Sequence, residues 1–141
     1  MAVTTDITDN VNDIHPRDKA SVGHRLALLA RHETYGQSGV VCASPVLRKA
    51  KFQKDQVTLR FDHADGGLVS RDGQPLTWFT VAGADGKFVP AQATIKGSDT
   101  VVVSAAGLTE PQAVRFAWAE TATPNLSNQA GLPAEPFQAA K

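Results

Sequence analysis

The sequence predicts a mainly β protein, an antiparallel β-sandwich preceded by a strand, a loop and a helix. Three observations carry that reading. Runs rich in Val, Thr, Ile and Phe recur with turn signals between them about every ten residues, the spacing of sandwich strands. Two runs alternate cleanly, with Val57, Leu59 and Phe61 on one face and Val114, Phe116 and Trp118 on one face. Helical periodicity is confined to the beginning of the chain. The 141 residues suit a single domain-sized unit with a real core.

The elements follow in order. Residues 2–8 (AVTTDIT) hold Val3, Thr4, Thr5 and Ile7, all β-branched, and predict a strand. Residues 9–15 (DNVNDIH) are turn-forming. Pro16 suits a first helical turn, where its missing N–H leaves nothing unsatisfied, and Asp18 adds favourable negative charge there. From there to about Tyr35, Val22, Leu26 and Leu29 recur at helical spacing with Ala30 beside them. Arg17, Lys19, Arg25, Arg31 and Glu33 take the other face. Gly36 is a natural stop. One strand and one helix cannot bury their own apolar faces and need a partner surface. Strands are then expected at 46–53, 56–62, 76–82, 87–95, 100–105 and 112–119. Turn signals at Lys54-Asp55, Asp65-Gly66-Gly67, Asp72-Gly73, Asp85-Gly86, Gly97-Ser98 and Glu110-Pro111 separate them. The tail 121–141, with Pro124, Pro133 and Pro136, reads as irregular chain lying on a neighbouring surface through Leu126, Leu132 and Phe137.

Composition narrows the function. Fourteen basic residues balance 14 acidic ones, so the electrostatic case for nucleic acid or an anionic membrane surface is missing. No apolar run is long enough to span a bilayer, so no membrane partner is expected. MAVTTDITDN has neither a basic region nor an apolar core, so no leader is expected, and the compartment stays open. Cys42 is a lone cysteine, read as a small half-buried strand residue.

The residue with the clearest chemical promise is His15, in Asp13-Ile14-His15-Pro16 at the corner before the helix. An imidazole there suits a general base. On spacing alone a turn histidine at a helix start is the commoner reading. His24, His32 and His63 show no ligand spacing, and His24 and His32 stand too far apart on the helix to share an ion, so no metal and no cofactor are expected. FDHADGGL reads as a tight turn whose Gly66 and Gly67 take positive φ. Of the two tryptophans, Trp118 is in phase with core residues, while Trp78, next to Phe79, is the weak candidate for an exposed, sugar-stacking aromatic.

Several separated blocks, in order, resemble the C-terminal part of the sialate O-acetylesterases, the carbohydrate-acetylesterase branch of the SGNH hydrolases. They are MAVTTDI, NDIHPRDKASVGHRLALLA, the YG closing the helix, FDHADGGL, DGKFVPAQATI, AVRFAWA and NLSNQAGLPAEPF. The resemblance covers nearly the whole chain. It implies that residues 1–36 are the closing strand–loop–helix of an SGNH-type α/β domain, 37–120 a β-sandwich, and 121–141 a packed tail. It implies that His15 is the catalytic base of a serine esterase acting on an acetylated glycan, sialic acid or a plant-wall polymer. Many such enzymes place an aspartate three residues before the histidine. Asn12 stands there, so Asp13 is the local candidate for the third member. The family's Gly-x-Ser nucleophile block and its oxyanion-hole glycine and asparagine have no counterpart here. Ser21, Ser38, Ser44, Ser70, Ser98, Ser104 and Ser127 read as caps, turns and strand surface. The chain alone is thus expected to be inactive or nearly so, and to meet either a chain with the missing catalytic half or a second copy of itself. The alternative is a non-catalytic sandwich that binds glycan or a partner subunit. Family members are often periplasmic or secreted.

Overall fold

The computed structural model describes residues 1–141 apart from Asp9, Asn12, Ile14 and Pro16. It is mainly β, with one helix and antiparallel sheets. The helix α1 (Lys19–Leu29) is followed by a π-helical turn, Ala30–Thr34. Among the described residues ten strands follow: β1 (Val46–Phe52), β2 (Val57–Asp62), β3 (Leu68–Ser70), β4 (Phe79–Ala82), β5 (Phe88–Pro90), β6 (Gln92–Lys96), β7 (Thr100–Ser104), β8 (Ala113–Phe116), β9 (Leu126–Asn128) and β10 (Phe137–Ala140). One sheet has the order β1-β2-β7-β6, the other β10-β8-β4-β5, and β3 pairs with β9 in a short ribbon.

The predicted alternation makes the core. Val57, Leu59 and Phe61 of β2 and Val101 and Val103 of β7 are buried against Phe79 and Val81 of β4 and Val114 and Phe116 of β8. Four phenylalanines interlock there: Phe79 and Phe116 have ring centroids 4.6 Å apart, Phe116 and Phe137 5.5 Å, and Phe61 and Phe137 5.8 Å. Such offset and edge arrangements suit the ring quadrupoles.

The structure departs from the sequence reading in five places. Residues 2–8 are not a strand, because a β-rich segment needs a neighbouring strand and here the chain turns at Thr5-Asp6, with Ile7 N–H donating to Thr4 O at 3.3 Å. The expected strand 87–95 divides after Pro90: β5 pairs with β4 in one sheet and β6 with β7 in the other. Proline cannot donate to a ladder, and the chain uses the corner to change sheets. The tail is ordered into β9 and β10, with Leu126, Leu132 and Phe137 all buried. Trp118 is 55% exposed rather than core. Ala117 adopts φ 49°, which ends β8 and reverses the facing of the next side chain; a left-handed non-glycine residue of this kind costs about 1–3 kcal/mol. Finally, Cys42 lies in the loop before β1, half-buried, and not in a strand.

The helix also sits differently from its periodicity. Its start at Pro16 lies outside the described residues. The N-cap is Asp18, whose carboxylate accepts from Ser21 N–H at 2.9 Å and from the Ser21 hydroxyl at 2.6 Å. Gly36, at φ 66°, closes it, and the N–H of Gln37 returns to Arg31 O at 3.0 Å. The face turned to the protein carries Arg25, whereas Leu26 is 53% exposed. Arg25 forks onto Asp6 (Nη1–Oδ1 2.6 Å, Nη2–Oδ2 2.7 Å) and also donates to Val3 O at 2.6 Å. Arg71, just past β3, reaches the same carboxylate at 3.3 Å and Asp6 O at 2.9 Å. Asp6 thus joins the N-terminal segment, the helix and the sandwich.

Two asparagines hold the tail. Buried Asn128 accepts from Leu132 N–H and donates to Ala43 O and His63 O. Asn125 accepts from Thr77 and donates to Asp72 at 2.9 Å and Pro75 O at 3.0 Å. The Asn125 amide, then Gln74 N–H and the Ser70 hydroxyl, hold the Asp72 carboxyl below its ordinary value. A carboxyl depressed on folding contributes stability above its unfolded pKa, and that contribution is lost as pH falls through the lower folded value. Thermal midpoints should therefore drop on acidification below about pH 4, and Asp72→Asn should flatten part of that limb. Asp18, lowered by the Ser21 hydroxyl and N–H, supplies another part. An unchanged acid limb in Asp72→Asn would refute the assignment.

The FDHADGG turn is a second check. Gly66 has φ 74°, and a Cβ there would stand 2.7 Å from Gln129 Cβ. Gly66→Ala should lower unfolding free energy in urea by about 1–2 kcal/mol from the left-handed backbone alone, and by more from the clash. Gly73, at φ 69° with open space around it, is the control. Equal losses at the two positions would show that the contact with Gln129 is unimportant.

Candidate functional site

His15 lies on the surface, its side chain 80% exposed. Its N–H donates to Asp13 Oδ1 at 2.9 Å, and its ring Nδ1 lies 3.2 Å from the same oxygen. A carboxylate in this place favours the tautomer with its proton on Nδ1. Nε2 then carries the lone pair and faces away from the carboxylate. The two side chains meet within three residues of one another. Three residues after His15, Asp18 caps the helix. Asn12 lies outside the described residues.

None of the candidate serines bonds to His15 among the described residues. Ser21 serves the Asp18 cap, Ser70 Oγ donates to Gln74 O at 2.6 Å, and Ser127 is buried in β9. What the described residues offer here is an imidazole in contact with a carboxylate on one side and exposed to solvent.

His63 takes φ 58° at the end of β2, and its carbonyl is bound by Asn128. Gly66 and Gly67 have the positive φ expected of the turn. Asp62 sits 3.6 Å from Arg48. His24 lines a cleft of about 330 Å³ between the helix and residues 130–132. Trp78, at φ 64°, is 39% exposed.

Chain spacing concealed one grouping. The ligand atoms of His32, Glu33 and Cys42 all lie within 4.8 Å of one another, because the loop after Gly36 folds back on the helix end. His32 Nδ1 is 3.1 Å from Glu33 Oε1. These are the residues that could hold an ion, though the Glu33 carboxylate is open to solvent. No helix among the described residues is long and apolar enough to cross a membrane.

No family model matches the chain. It is 29% identical to a sialate O-acetylesterase of Rattus norvegicus, over 99% of this chain and 28% of that protein. It is 28% identical to a sialate O-acetylesterase of Mus musculus, over 84% of this chain and 23% of that protein. The crystal structure of a carbohydrate acetylesterase from Xanthomonas citri superposes with a TM-score of 0.92 at 41% identity, over 99% of this chain and 32% of the other. The chain thus spans under a third of the length of each of these proteins. In sequence and in fold, it is related over nearly all its residues to one part of the sialate O-acetylesterases and carbohydrate acetylesterases.

Proposed function

We propose that this chain supplies the base histidine and the accessory β-sandwich of an SGNH-type carbohydrate O-acetylesterase, whose nucleophilic serine and oxyanion hole are carried by sequence outside these 141 residues. The observation behind it is the exposed His15 ring, held by Asp13 on one side and open on the other. Similarity to sialate O-acetylesterases and to a carbohydrate acetylesterase supports it.

In this reading His15 Nε2 takes the proton of a serine hydroxyl as its oxygen attacks the acetyl carbonyl. Asp13 steadies the imidazolium that forms. Collapse of the tetrahedral intermediate breaks the ester C–O bond, and His15 returns the proton to the departing sugar oxygen. His15 then deprotonates a water that attacks the acetyl-enzyme, releasing acetate and restoring the serine. The substrate is an acetylated glycan. The exposed Leu26 and the half-buried Val22 one turn before it suit a surface supplied by the catalytic half, on the same or a separate polypeptide, with self-association as the other cover.

The test is a transplant. This chain replaces its counterpart in the Xanthomonas citri enzyme, and turnover of p-nitrophenyl acetate is measured with His15 and with His15→Ala. Activity that depends on His15 is expected, and the 141-residue chain alone should show little or none. A robust rate from the isolated chain, abolished by His15→Ala, would overturn the view that the nucleophile lies elsewhere.

A second reading, a non-catalytic sandwich that binds glycan or a partner subunit, is favoured by the exposure of both tryptophans.

A further inference from the structure

The outward face of the sheet β10-β8-β4-β5 carries a prepared cluster of aromatic and cationic groups. Thr80 pairs with Arg115, and Arg115 pairs with Gln138. Arg115 Nε donates to Gln138 Oε1 at 2.7 Å, and its guanidinium lies 3.8 Å over the Phe88 ring. Stacking and hydrogen bond together fix the plane of the fork. Among the described residues no acceptor bonds to the two terminal nitrogens, and Arg115 lines a surface cleft. The Trp118 ring lies 5.8 Å from the same guanidinium. Trp78, Thr80, Phe88, Arg115, Trp118 and Ala119 line a cleft of about 240 Å³.

Both tryptophans reach this cleft through unfavourable backbone. Trp78 has φ 64°, Ala117 has φ 49°, and Ala117 N–H donates to Trp78 O at 3.0 Å, so the two corners hold each other. In phase with Val114 and Phe116, Trp118 would point into the core. The chain instead bends at Ala117 and sets both of its tryptophans on the surface, leaving the core to phenylalanine. Left-handed non-glycine residues cluster where structure serves binding.

The geometry points to a glycan-binding subsite here, taking a pyranose ring that bears a carboxylate. The apolar C–H face of such a ring stacks on an indole, and the planar fork of Arg115 matches a carboxylate with two parallel hydrogen bonds. The cleft is small for a ligand site and fits one ring better than a peptide segment. Its cation suits an acidic sugar better than a neutral one. The inference rests only on the carbohydrate part of the function proposed above and makes no use of His15.

Tryptophan fluorescence of the 141-residue chain is titrated with trigalacturonate, 3′-sialyllactose and neutral lactose. Saturable quenching by at least one acidic sugar, tenfold tighter than by lactose, is the expected result. Trp118→Ala and Arg115→Gln, each checked for unchanged thermal unfolding, should weaken it about tenfold or more, a loss of about 1.4 kcal/mol. Arg115→Lys, which keeps charge but loses the fork, should fall between. Quenching equal for lactose and the acidic sugars overturns the role of Arg115, and no quenching by any probe overturns the subsite. A monomer–dimer equilibrium abolished by Trp118→Ala would reassign the face to a second copy of the chain. Lost turnover in the transplant with glycan binding intact would count against the catalytic reading alone, and the reverse against this one alone.

Discussion

Replacing Asp6 with alanine is expected to release the N-terminal segment and helix from the sandwich while the sandwich stays folded. The Asp6 side chain is 2% exposed and takes both arms of the Arg25 fork. Without it, Arg25 keeps among the described residues only Val3 O, a neutral acceptor. A buried charge stripped of its partner costs about 3–5 kcal/mol, several times what an exposed pair is worth. Helix α1 has 11 residues, too few to persist alone in water, and its apolar residues do not anchor it. Amide exchange within 19–29 should therefore quicken about 10²–10⁴-fold. Far-UV helical signal should fall, and proteolysis should cut ahead of β1. Asp6→Asn, which keeps an acceptor but no charge, should lie between. The Asp6→Ala/Arg25→Met double variant should lose less than the sum of its parts, because no charge is left orphaned. Exchange quickened less than tenfold would mean the pair is incidental. So would an effect erased by moderate salt, since a buried pair is little screened.

This ion pair shows where sequence reading succeeds and where it stops. The strands were legible where one physical rule governs several consecutive residues. In β2, Val57, Leu59 and Phe61 alternate inward because one face packs and the other is wet. Gly66 and Gly67 announced their turn because only that backbone needs positive φ without strain. The helix was legible as a helix but not in its facing. Val22, Leu26 and Leu29 form the apolar stripe, yet Arg25 turns inward, because its partner Asp6 comes from a segment whose position periodicity cannot give. Trp118 failed similarly. Its phase was right for a continuing strand, and a single left-handed residue, Ala117, cancelled it. The tail looked irregular by its prolines, but Asn128 and the pairing of Phe137 with Phe116 order it through contacts distant in sequence. At the candidate site, Asp13 and His15 were readable together because they are local. The grouping of His32 and Glu33 with Cys42 was not, since it depends on a loop folding back.

In the transplanted enzyme His15→Ala should lower kcat/KM by on the order of 10³-fold or more, since general acid–base assistance contributes about 10²–10⁴-fold and the proposed mechanism uses this residue in both half-reactions. The loss should fall on kcat with KM little changed, because the imidazole acts on protons in transit and does not hold the sugar. Asp13→Ala should be milder. The ring loses the partner that fixes its tautomer and orientation, so about 10–100-fold is expected, by analogy with outer partners of ligating histidines. Asp13→Glu should restore part of it if the carboxylate itself matters. The arrangement makes a further demand. Asp13 Oδ1 receives both the His15 N–H and Nδ1, so Asp13→Asn should hurt almost as much as Asp13→Ala, an amide oxygen being the weaker acceptor for an imidazolium. All three Asp13 variants should leave the thermal midpoint nearly unchanged, His15 and its contact lying on the surface. A His15→Ala enzyme within tenfold of the parent would remove the base from this chain altogether. An Asp13→Ala enzyme as active as the parent would leave His15 in place and move its orienting group to another residue.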